Sequence, residues 1–167
     1  MPKIIGESLA SHRELTRTRL FEALGSLMGE QSFESITMSQ IAERAGVGRT
    51  AVYNHFADKE VLLLAYMREV TGEFARVLTQ RLEAEPDPLM RLRIYIRSHL
   101  QMIGRYHVKA GMSLRRHMSG QGASHLHDHA GVVGEVLIGI LDEAMERGLI
   151  AQQNTLGAVH LIHATLQ

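Results

Sequence analysis

Cysteine is absent from the 167-residue chain, which excludes disulfide frameworks, thiolate metal sites and cysteine nucleophiles together. Tryptophan is absent as well, and aromatic residues make up only 5%, so a pocket that grips flat cations between ring faces is disfavoured. Proline occurs three times and alternating apolar patterns are scarce; both features point to an all-α protein. Neither sign of charge is in excess. The 18 Lys and Arg stand against 18 Asp and Glu, so no global field declares a polyanionic partner, and any nucleic-acid site must be a local arrangement. The longest uninterrupted apolar run, Val61 to Met67, has seven residues, far short of a membrane span. The first residues, MPKIIGESLASHREL, lack the pattern of a secretory signal. A cytoplasmic protein without a membrane partner is therefore expected. No Gly-rich phosphate loop or nucleophile motif marks an enzyme, and no catalytic residue is assigned.

What the chain does have is apolar residues at helical spacing, 45% of the total, enough for a real core. Residues 1 to about 10 read as a loose arm. Leu20, Phe21, Leu24, Leu27 and Met28 then form the stripe of an amphipathic helix from Ser11 to near Gln31. Thr37 is placed to cap a second helix with Ile41, Ala42 and Ala45 facing inward, and Gly46-Val47-Gly48 breaks it. Asp58 should cap a long helix carrying Leu63, Met67, Val70, Phe74, Val77 and Leu82. The segment AEPDPL at 84–89 ends that helix and starts another, along which Leu89, Leu92, Ile96, Leu100 and Ile103 recur. A break at 106–111, a short helix at 112–118 and a flexible SGQGAS loop at 119–124 are expected next. Val132 to Leu141 begins a helix that stops at Gly148 behind Arg147. A last helix, from Asn154, has no stop signal before Gln167.

Between the second helix and the long one lies RTAVYNH, residues 49–55, barely two turns. A helix that short is unstable alone, since most helical stability comes from packing. Helix, Gly-containing turn and short second helix together make a helix-turn-helix. Ala51 and Val52 would anchor the short helix, leaving its other face to enter a DNA major groove. Arg49 can donate two hydrogen bonds to guanine, Thr50 offers a hydroxyl and a methyl, and Asn54 suits adenine. Against this, residues 1–60 carry seven basic and eight acidic side chains, whereas DNA-binding domains are usually basic.

The stretch ITMSQIAERAGVGRTAVYNHFADKEVLL, Ile36 to Leu63, resembles the DNA-binding signature of TetR-type transcriptional regulators. The resemblance rests on Ile41-Ala42, Ala45-Gly46-Val47, the spacing of Tyr53 and Phe56, and Lys59-Glu60. It implies a three-helix DNA-binding domain at 1–57 and a helical effector-binding and dimerisation domain at 58–167. It also implies a repressor that binds a palindromic double-stranded operator as a homodimer and answers to a small-molecule effector. By position, Thr37 and Ser39 would touch phosphate or base, and Gly48, Arg49, Thr50 and Ala51 would read the groove. Tyr53, His55 and Lys59 would hold phosphates. Two departures from the family pattern stand out: Arg49-Thr50 replaces a frequent Lys-Gly pair, and His55 replaces Tyr. A histidine phosphate contact would strengthen operator binding modestly on acidification. The family's dimer face usually comes from its last two helices, and the resemblance implies that Asn154 to Gln167 supplies only the start of one.

The second half is rich in histidine. His125 and His129 share one helical face and His160 and His163 are i,i+3 partners, spacings that could chelate a divalent metal with Asp128 or Glu135. The simpler reading is a polar helix start and pocket-lining or packed imidazoles. An organic effector would lie among Tyr95, Leu100, Ile103, Tyr106, His107 and Met112. Beside the regulator stand two alternatives: a metal-responsive regulator using these histidines, and a helical adaptor that binds protein rather than DNA.

Overall fold

A computed structural model describes residues 3–106 and 120–166, with side chains at residues 10–104 and 133–166. Among the described residues the chain is all-α. It runs α1 (Lys3–Glu30), a 3-10 turn (Phe33–Ser35), α2 (Met38–Ala45), α3 (Arg49–His55), α4 (Lys59–Glu83), α5 (Pro88–Tyr106), α6 (Gly120–Glu146) and α7 (Thr155–Leu166). Two compact units divide it, 1–66 and 67–167.

The N-terminal unit is built on the expected stripe. Leu20, Leu24 and Leu27 of α1 are buried with Ile41 and Ala42 of α2 and Val52 of α3. Thr37 caps α2 in a reciprocal box, its hydroxyl accepting from the Gln40 amide while the Gln40 side chain accepts from the Thr37 amide. Such a box satisfies two of the donors that a helix start leaves open. Gly46 closes α2 in the left-handed region at φ 66°. Its amide bonds to Glu43 and that of Val47 to Ala42, a turn that an L side chain would strain. Asp58 caps α4 as expected, accepting from the amides of Glu60 and Val61 at 2.8 and 2.9 Å.

Three expectations need correction. The arm at 1–10 is helical from Lys3, because residues 3–10 contain no proline and the single Gly6 is not enough to stop a helix. The unit boundary falls nine residues beyond 57, at Tyr66. The first two turns of α4 belong to the N-terminal core: Leu62 and Leu63 are fully buried, and the Tyr66 ring meets Phe21 at 5.9 Å. Tyr66 lies so near α1 that a Cβ on Gly25 would sit 2.8 Å from its hydroxyl. Thirdly, residues 120–124 are helical rather than a loop, opening α6 twelve residues ahead of Val132. Glycine there lowers helix propensity without forbidding it. The short helix expected at 112–118 lies outside the described residues.

In the second unit Phe74 and Leu78 of α4, Tyr95 of α5, Leu137, Ile140 and Leu141 of α6 and Val159 of α7 form one buried cluster. Arg91 of α5 donates to Glu143 of α6 at 2.6 Å, and Glu143 also pairs with Arg147. Gly148 ends α6 at φ 67°, as its place behind Arg147 suggested. No helix among the described residues is long and apolar enough to cross a membrane.

Candidate nucleic-acid interface and effector cleft

Val52 is the one residue of α3 whose side chain is completely buried, and Ala51 beside it is half-buried. Phe56, just past the helix end, packs on Phe21 at 5.9 Å. These three hold the two-turn helix to α1 and α2. Arg49, Thr50, Tyr53 and Asn54 face solvent. Side chains at i and i+4 share a face, and the Arg49 guanidinium lies 6.0 Å from the centre of the Tyr53 ring. Gly48 and Ser39 are exposed at the flanks of this face, as is Thr37, whose hydroxyl is engaged in its helix cap.

Lys59 is the exception. Its ammonium donates to the carbonyls of Phe33, Glu34 and Ile36 at 3.1, 2.8 and 3.0 Å and lies 4.9 Å over the Phe33 ring. An ammonium has three donors, and all three are committed inward. Lys59 therefore caps the 3-10 turn, and its ammonium is turned away from the phosphate contact expected from its position.

His55 is half-buried. Burial and the charges of Arg13, Arg17 and His12 on α1 lower its pKa from the ordinary 6.5, Glu14 opposing them. Any gain of operator affinity from its protonation is thereby moved to more acid pH than an exposed histidine would give. The same neighbours mark what sequence reading missed: Arg13 and Arg17 lie beside the C-terminal end of α3. Their i,i+4 spacing on an expected helix was the available signal. Arg17 rests 5.1 Å over Phe21. Arg44, by contrast, is neutralised by a two-pronged bridge to Glu30 at 2.7 and 2.8 Å.

In the second unit the expected effector residues that are described differ in their surroundings. Tyr95 is fully buried in the core, with its hydroxyl 2.7 Å from His163 Nε2. Leu100 is 52% exposed and Ile103 half-buried. The Tyr106 side chain, His107 and Met112 lie outside the described residues. A cleft of about 290 Å³ does open between α4 and α5, lined by Glu73, Phe74, Val77, Arg81, Ser98, Gln101 and Met102. The difference is rotational: the face of α5 with Ser98, Gln101 and Met102 turns to this cleft, while Tyr95 and His99 turn to α7.

His160 is exposed whereas His163 points inward to Tyr95, so the two do not converge on one ion. Among the described residues no three His, Asp or Glu side chains cluster as metal ligands. His125 and His129 are on α6, with side chains outside the described residues. His99 stacks on His163 at 5.8 Å and meets the Phe74 edge at 5.7 Å, and its buried Nδ1 has no hydrogen-bond partner among the described residues. Burial, with the nearby His163, lowers its pKa from 6.5 to about 4. The unfolded chain takes up the proton near 6.5 and the folded chain resists it to about 4. Stability is thus complete above that window and falls as pH drops through it. Urea unfolding at stepped pH should show this fall, and His99→Phe should flatten it.

A short helix anchored by Val52, Ala51 and Phe56, with polar side chains outward, completes a helix-turn-helix. Residues 20–66 match the family described as bacterial regulatory proteins, tetR family. The chain is 30% identical over 94 residues to an uncharacterized HTH-type transcriptional regulator of Mycobacterium tuberculosis, covering 56% of this chain and 46% of that protein. Against the HTH-type transcriptional regulator BetI of Escherichia coli it is 33% identical over 94 residues, covering 56% and 45%. The chain thus spans about half the length of the curated relatives it matches. Its fold is shared with the transcriptional regulator FadR of Bacillus subtilis, solved with stearoyl-CoA, at TM-score 0.75 and 19% identity, covering 89% and 82%. It is shared as well with the TetR family regulator PfmR of Thermus thermophilus, at TM-score 0.75 and 20% identity over 89% and 80%.

Proposed function

We propose that the protein is a ligand-responsive transcriptional repressor, cytoplasmic and without catalytic activity, which binds a palindromic operator as a homodimer. The observation that carries this is the division of α3 into a buried anchor, Val52, and an exposed face of Arg49, Thr50, Tyr53 and Asn54. In this reading Arg49 and Asn54 address base edges, while Tyr53, Ser39 and the α1 pair Arg13 and Arg17 address phosphates. Two copies are required because half-sites one helical turn apart, about 34–36 Å, must be read together. The effector acts by binding the non-operator conformation better, since equal affinity for both would shift nothing. The match of residues 20–66 to the tetR family, and the similarity to HTH-type regulators, support the DNA-binding regulator part of this reading.

Selection from a random duplex library at low salt, followed by titration of the recovered site, tests the proposal. A two-fold-symmetric site should emerge, with an affinity that falls steeply as salt rises through counterion release. A protein interface of the adaptor type would yield no site and little salt dependence. A metal-responsive reading rests on the α6 histidines, and metal analysis of the protein as purified tests it directly.

A further inference from the structure

Arg81 projects from the last turn of α4 into the cleft between α4 and α5. Its guanidinium donates to the hydroxyl of Ser98 at 2.9 Å and the side-chain carbonyl of Gln101 at 3.2 Å. Both acceptors are neutral, and among the described residues Arg81 has no carboxylate partner. Three other arginines are paired with carboxylates: Arg44 with Glu30, and Arg91 and Arg147 with Glu143. Ser98 is itself only 4% exposed, so the hydroxyl that orients the guanidinium is fixed by packing, while three further guanidinium N–H groups, both on Nη2 and the one on Nε, stay available. Below this cation the wall is apolar, made by Phe74, Val77 and Met102. The cleft is therefore a largely apolar slot with an oriented guanidinium that no carboxylate pairs with among the described residues.

We propose that this slot binds a small monocarboxylate, its carboxylate on Arg81 and its apolar chain against Phe74, Val77 and Met102. The inference rests on the effector-responsive reading above and names the ligand class. Size bounds it: about 290 Å³ holds roughly ten groups of water size at ~30 Å³ each, the heavy-atom count of an eight-carbon fatty acid. Charge bounds it from the other end. Glu73 lines the cleft eight residues before Arg81 on α4, about 12 Å along the helix axis. A second carboxylate on the ligand would meet that acid, and an amine would meet Arg81.

Calorimetric titration of the whole protein at low salt with octanoate, octanamide, octylamine and octanedioate tests the proposal. Octanoate should bind at least about tenfold more tightly than each of the others, as a charge-assisted bidentate contact implies. Arg81→Met should abolish that preference, Arg81→Lys should keep part of it, and Ser98→Ala should weaken octanoate binding with less effect on octanamide. Thermal melts of each variant separate loss of binding from loss of fold. Absence of octanoate binding, or equal binding to wild type and folded Arg81→Met, overturns the assignment. Operator titration in the absence of these compounds is read independently. Intact operator binding without octanoate binding defeats the ligand class alone, and octanoate binding without operator binding defeats the regulator reading alone.

Discussion

Replacing Lys59 by Met should lower the stability of the protein by about 2–3 kcal/mol and leave the salt dependence of operator binding unchanged. Three carbonyl oxygens at the end of the 3-10 turn depend on this one ammonium. Hydrogen bonds to a charged group are worth about 1.5–3 kcal/mol each in favourable cases. They are not additive here, because the exposed Glu34 carbonyl can turn to water while those of Phe33 and Ile36 sit beside buried side chains. Methionine keeps much of the apolar stem against the Phe33 ring, so the loss isolates the charge. Urea unfolding gives the stability. Operator affinity measured across salt concentrations, at a temperature where the variant is folded, gives the slope. A phosphate ligand behaves in the opposite way: its removal leaves stability alone and reduces the slope by about one unit. That second pattern would return Lys59 to the DNA face and remove it from the turn.

Lys59 also shows where sequence reading stops. Its type, its place at a helix start and the family resemblance all suit a phosphate contact, and none reports that the 3-10 turn ends within reach of its ammonium. That turn is 23–26 residues upstream, a tertiary fact with no local signature. Local chemistry was legible. Thr37, Asp58 and Gly46 each do what their residue types favour, because capping and left-handed turns are decided within four residues. The α1 stripe was legible for the same reason, and so was the inward turn of Val52. The second unit was read less well. Its helices are apolar on more than one side, so periodicity does not select which face of α5 meets α4 and which meets α7. The residue type of Tyr95 suits a polar handle in a pocket; packing makes it a core residue whose hydroxyl is satisfied by His163. Arg81 carried no signal beyond being a cation near a helix end, which is common. Its significance lies in the neutral partners that three-dimensional packing supplies.

Arg49→Ala should cost about 1–3 kcal/mol in operator affinity, concentrated at one position of each half-site. Arg49 is the first residue of α3, exposed, and the only arginine or lysine on that helix. The Tyr53 ring beneath it, with the guanidinium 6.0 Å from its centre, limits the rotamers Arg49 samples and so lowers the entropy lost on docking. This gives a second, graded expectation: Tyr53→Leu should weaken binding less than Arg49→Ala while reducing discrimination at the same base pair, because it frees Arg49 without removing it. Arg13→Ala, on α1, should instead weaken all sequences alike and lower the salt slope, the mark of a phosphate contact. Parallel selections with wild type and the three variants read these patterns together. A uniform loss for Arg49→Ala, with no base pair singled out, would move Arg49 to the phosphates and leave Asn54 as the leading base reader on α3. The three-way contrast is informative because all three side chains lie on the N-terminal unit and leave Val52, the residue that anchors the helix, untouched.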